Sequence, residues 1–232
     1  MPWLARANYA RELRASFFLP WAIAATEGSV IGFIVRKLYD GVVPDTLLNF
    51  LVAALIAAPA LANITSFGWA IAVSGRKKIP FITGLQIMVI IAIMAIAAAP
   101  RSPAGLIIII AAAYVARICL AGVVTIRATV WGVNYPTQRA RMTGKFQAVS
   151  VTISSLIAIG LGYSMQLSEN SYRILIPIFG LIALIGVGAY ARIKVRTEST
   201  ILAREQAQSD SNTSSISNIK SLLHGIIRVM FD

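Results

Sequence analysis

The sequence predicts an all-α integral membrane protein, a bundle of six transmembrane helices, and three observations carry that expectation. Hydrophobic residues make up 57% of the 232 residues and charged ones only 13%, about half the charged share of a soluble domain. Mean hydropathy is +0.75, and the apolar residues gather in six runs, each near the roughly 20 residues that cross a bilayer core of about 30 Å. The basic residues behind the net charge of +12 lie in the short segments between runs, not in one stripe, so topology explains them better than a nucleic-acid partner does.

The first element is residues 1–15, where Arg6, Arg11 and Arg14 alternate with Leu4, Tyr9 and Leu13. That spacing suits a short interfacial helix on an anionic leaflet, with a frayed basic tail as the alternative. The apolar run 16–35 contains Glu27 and lacks a small-residue cleavage site, so it is expected to be the first span and not a signal peptide. The second run, 47–73, contains Pro59 and Asn63, and the proline should bend it by removing a helix hydrogen bond. Runs 79–98, 106–133, 146–167 and 172–191 complete the six spans.

Alternating loops then set an orientation. One side carries Arg6, Arg11, Arg14, Arg76, Lys77, Lys78, Arg139, Arg141, Lys145, Arg192, Lys194 and Arg196, and the other only Arg36, Lys37, Arg101 and Arg173. The positive-inside rule places both termini in the cytoplasm of a multi-pass protein, with the plasma (inner) membrane as the expected location. Residues 195–218 turn rich in serine, glutamine and asparagine and read as a flexible cytoplasmic linker. The stretch 219–232 becomes amphipathic again, like the approach to a further membrane helix.

Six helices, a short basic second loop, an arginine in the fourth span and a proline-arginine fourth loop resemble the N-terminal half of a major facilitator superfamily transporter. In the family signature G-x-x-x-D-R-x-G-R-R, this chain supplies Gly68, Gly75, Arg76 and Lys77, while Ala72 and Val73 replace the aspartate and the first arginine. Gly68 is expected to allow close helix approach and Gly75 a tight turn. The run Arg117-Ile118-Cys119-Leu120-Ala121-Gly122 keeps the arginine and small residues of the family's fourth-helix motif without its glutamine. Pro136 with Arg139 and Arg141, and the pair Tyr172-Arg173, extend the likeness loosely. The resemblance spans essentially the whole chain. It implies alternating access for a small solute, proton coupling as one mode, and a second six-helix half, missing or supplied by a separate chain.

Candidate chemistry comes from the polar groups at membrane depth. Glu27 and Arg117 fall near the middle of their runs at about 1.5 Å per residue, and Tyr114, Arg117 and Thr125 share one helix side. Two readings are open: the pair lines a substrate or proton pathway, or it is a buried ion pair that only ties two helices together. Arg127, nearer the cytoplasmic face, is expected to be an interfacial anchor or a gate-side ion partner. Asn63 and Gln86 read as hydrogen-bonding glue between helices, and Gly160, Gly162, Ser154 and Ser155 as a close-packing surface.

Cys119 reads as a small buried hydrophobe and His224 as a solvated tail residue. With one cysteine and one histidine, no metal site or cofactor is expected. Neither H-E-x-x-H, G-x-S-x-G nor a glycine-rich phosphate loop occurs, so the expectation is not an enzyme. The competing class is a non-transporting membrane protein that retains the fold.

Overall fold

The computed structural model describes residues 3–207, and these contain helices and no strand. In order they are α1 (Trp3–Phe18), α2 (Pro20–Ala25), α3 (Gly28–Tyr39), α4 (Asp45–Asn63), α5 (Ser66–Val73), α6 (Lys78–Ala98), α7 (Pro103–Asn134), α8 (Arg139–Leu167) and α9 (Ser171–Ala191). Residues 198–207, here α10, are also helical. Six stretches are long and apolar enough to cross a membrane, the first of them the composite Ala5–Tyr39.

That composite corrects the expected first boundary. Residues 5–15 do not form a separate surface segment: α1 packs along α8 and α9, and Asn8, Glu12, Ala15 and Ser16 are buried. The span is broken twice. Pro20 has no N–H and its ring excludes the carbonyl four residues back, and the Ser16 carbonyl accepts instead from the Ser150 hydroxyl at 3.2 Å. The second break lies at Thr26-Glu27, where Glu27 takes an extended backbone before Gly28 restarts the helix.

The second run, expected as one bent span over 47–73, is instead two helices. Pro59 lies inside α4, and the helix ends at Asn63 before α5 begins at Ser66. By the same steric rule Pro59 frees the Leu55 carbonyl, and that oxygen faces Gly28, where a Cβ would stand only 2.6 Å from it. Gly28 therefore lets α3 lie directly on α4.

Elsewhere the close approaches fall on other glycines than those expected. Gly68, Gly160 and Gly162 face open space, whereas Gly122 lies under the Trp69 ring and Gly186 against Leu19 and Phe18. Trp69 completes its seat by donating its indole N–H to the Ile118 carbonyl at 2.9 Å, locking α5 onto α7. Gly75 has φ +68° and makes the tight turn expected of it.

The core runs along α6, α7 and α9, with Ile82, Ile93, Ile96, Ile109, Ala116 and Ala183 fully enclosed. By contrast α4 and α8 leave most of their apolar length outside the core.

The expected flexible linker differs over its described part. Glu205 of α10 accepts from the Gly75 N–H at 2.8 Å and pairs with Lys78. Residues 208–218 of that linker, the segment 219–232 and His224 lie outside the described residues.

Candidate functional site

Two ion pairs, stacked along α7, organise the polar interior. Arg117 and Arg127 are ten positions apart, roughly 15 Å along a helix, and each meets a different part of the broken first span. The Arg117 guanidinium donates to a Glu27 carboxylate oxygen at 2.8 Å and, through Nε, to the Thr26 carbonyl at 2.7 Å. The helix break creates this site, because the extended backbone at Glu27 leaves the Thr26 carbonyl without its ordinary helical partner. The sequence brought these two residues together correctly.

The burial of the pair is uneven, and that decides its chemistry. The Arg117 side chain is 10% exposed and the Glu27 side chain 48%. Two acceptors hold the mostly buried cation, and both it and the more exposed carboxylate border a cleft of about 600 Å³. Glu27, Ser29, Gln147, Ser150 and Ser154 supply polar groups to the cleft wall, and Ile23, Val124 and Ile159 supply apolar ones. Ser154 and Ser155 thus line the cleft, where the sequence suggested a packing surface.

The second pair was not legible from the apolar runs. Glu12 is wholly buried and Arg127 is 9% exposed. The Arg127 guanidinium donates to Glu12 at 3.0 Å, and the Trp131 indole N–H donates to the other carboxylate oxygen, also at 3.0 Å. Arg127 further lies over the Trp131 ring at 4.8 Å and the Tyr190 ring at 5.2 Å. Arg127 is therefore a buried ion partner of Glu12 and not the snorkelling interfacial anchor that was one of its two expected roles. The sequence signal that marks Glu12 is the spacing of four from Asn8 to Glu12 to Ser16, a polar stripe on one helix side.

The remaining candidates divide. The Tyr114 hydroxyl donates to the Ala54 carbonyl at 3.0 Å and joins α7 to α4, and the Thr125 hydroxyl turns back to the Ala121 carbonyl at 2.8 Å. Neither lines the cleft. Arg76 and Lys77 are exposed in the second loop, and Arg139 and Arg141 are exposed in the first turn of α8. Asn63 is exposed at the end of α4, and Cys119 is buried as expected.

Gln86 is 4% exposed, and both its amide atoms lack partners among the described residues. It borders a void of about 20 Å³ beside Arg127, about the room one water needs. Just past α7, burial pushes the Tyr135 phenol above its ordinary range, and the nearby Glu12 carboxylate adds to the effect. Among the described residues no cluster of histidine, cysteine and carboxylate groups could hold a metal ion.

A helical bundle with six membrane-length apolar stretches and charged pairs in its interior defines the class: an all-α protein compatible with multi-pass insertion. No family model matches the chain, and neither curated proteins nor solved structures give a match to it.

Proposed function

We propose that this chain is a multi-pass membrane protein that forms one half of a secondary carrier, moving a small solute by alternating access with Glu27 as its proton-exchanging group. The observation that carries this reading is the half-exposed Glu27 carboxylate at a helix break, facing a polar cleft and backed by Arg117. Discontinuous helices with ionisable groups at membrane depth are where carriers bind substrate and coupling ion. Arg117 holds Glu27 at the cleft wall, and breaking that contact frees the two helices to shift.

The incomplete burial of α4 and α8 supports a second six-helix half, in the same chain or another, closing the open side of the cleft. Charge pairing supports termini on the cytoplasmic side. Arg36 pairs with Asp45 at 3.5 Å and Arg101 with Glu169 at 3.1 Å, while Lys37 and Arg173 donate to the Met165 and Ala99 carbonyls. All four basic residues on the far side are thus held within the molecule.

Two measurements test the proposal. In a Cys119→Ala background, single cysteines at Ser29 and Ser154 should react with a membrane-impermeant maleimide; absence of labelling at both would remove the cleft from the water path. In proteoliposomes screened with labelled small solutes under an imposed pH gradient, Glu27→Gln should abolish the pH dependence of uptake. Uptake unchanged at every pH would refute the proton role.

A further inference from the structure

Near the end of the bundle where α1 begins, α1 and α9 form an open groove of about 470 Å³, lined by Arg11, Arg14, Ile185, Gly188, Ala189 and Arg192. Arg11 and Arg14 are three positions apart and so fall on one side of α1, while Arg192 caps the C-terminus of α9. Among the described residues none of the three makes a side-chain hydrogen bond or an ion pair, in contrast to the far-side basic residues, each of which has a partner. Three cations thus converge without a counter-charge. Below them the wall is apolar, and Gly188 leaves it open, with nothing within 4 Å of where a Cβ would stand.

We infer that this groove binds the phosphate headgroup of an anionic phospholipid from the leaflet on the side where α1 begins and α9 ends. Guanidinium groups present paired donors that match phosphate oxygens, and an anion between three unpaired arginines relieves their mutual repulsion. A free phosphate ion shares that headgroup chemistry. The lipid is favoured because the cationic rim continues into the apolar wall at Ile185, Gly188 and Ala189, where the first part of an acyl chain fits. The inference rests on the chain spanning a membrane and not on carrier activity, so it is read in a binding assay independent of transport.

The test is native mass spectrometry of the purified full chain, titrated with phosphatidylglycerol, phosphatidylcholine or inorganic phosphate in neutral detergent. The expected result is one tightly held phosphatidylglycerol per chain, bound at least about tenfold more tightly than phosphatidylcholine. At roughly fivefold per basic residue near an anionic headgroup, the triple variant Arg11→Gln, Arg14→Gln, Arg192→Gln should weaken that binding on the order of 100-fold. Gly188→Leu keeps every charge and fills the apolar wall, so it should also displace the lipid; Arg6→Gln, outside the groove, should not. Each single arginine variant should lose about fivefold, which keeps the test open if the triple variant fails to fold. Equal retention of phosphatidylglycerol in the wild type, the triple variant and Gly188→Leu would overturn the inference. So would phosphatidylcholine bound as tightly, or inorganic phosphate that competes at equal concentration.

Discussion

The pair between Glu12 and Arg127 offers the most demanding prediction, because its two charges are enclosed and its partners are few. At 3.0 Å and an effective dielectric of about 20, two unit charges attract by roughly 5–6 kcal/mol. Most of that offsets the cost of burying them, so the pair as a whole adds little. Removing one member is a different matter, since the other charge stays buried. Arg127→Met leaves the Glu12 carboxylate with only the Trp131 N–H, and the expected loss is about 3–5 kcal/mol. Glu12→Gln leaves the Arg127 cation against the Trp131 and Tyr190 rings, which retain about 1–2 kcal/mol of cation–π attraction, so it should cost less. The double variant buries no net charge and should recover most of the larger loss. A double-mutant cycle of reversible unfolding in mixed micelles reads the coupling directly. A coupling of 2 kcal/mol or more is expected, and additive losses within about 0.5 kcal/mol would show that the two residues do not act as a pair.

Other consequences of the packing can be checked in the same way. Gly28→Ala should cost about 1–3 kcal/mol by forcing α3 away from the Leu55 carbonyl, whereas Gly160→Ala, on an open face, should be neutral or slightly stabilising in the same thermal unfolding assay. Tyr39→Phe removes the hydroxyl that donates to the Pro100 carbonyl at 2.8 Å and should cost about 1 kcal/mol. Glu205→Gln should loosen α10 from the second loop, read as faster proteolysis near residue 205; an unchanged cleavage rate would mean that the Lys78 contact does not hold the helix.

How the candidate site emerged from the sequence differs between its two halves. Glu27 and Arg117 were legible because a charge inside a long apolar run is costly and has to find an opposite partner at its own depth. Glu12 was not, because basic residues around it lower the local hydropathy and make the stretch resemble a surface helix. Only the packing of α1 against α8 and α9 shows that one side of that stretch is enclosed. Arg127 was left between an anchor and an ion partner for the same reason: a long side chain near a helix end can snorkel, and no local pattern tells whether an acid waits inside. The glycines follow the same logic. Gly75 was readable from its turn, while the roles of Gly28, Gly122 and Gly186 depend on what another helix places opposite them.

The sequence by itself determined the helical class and the six membrane-length apolar stretches, since these follow from hydropathy and length acting along the chain. Tertiary structure alone decided that the first span begins near residue 5 and breaks at Glu27. It also decided that Glu12 completes a second buried pair, and that the Glu27 carboxylate is half-exposed while Arg117 is mostly buried. Those outcomes depend on which surfaces meet across distant segments, and burial of a charge is a property of its neighbours rather than of its own position in the chain.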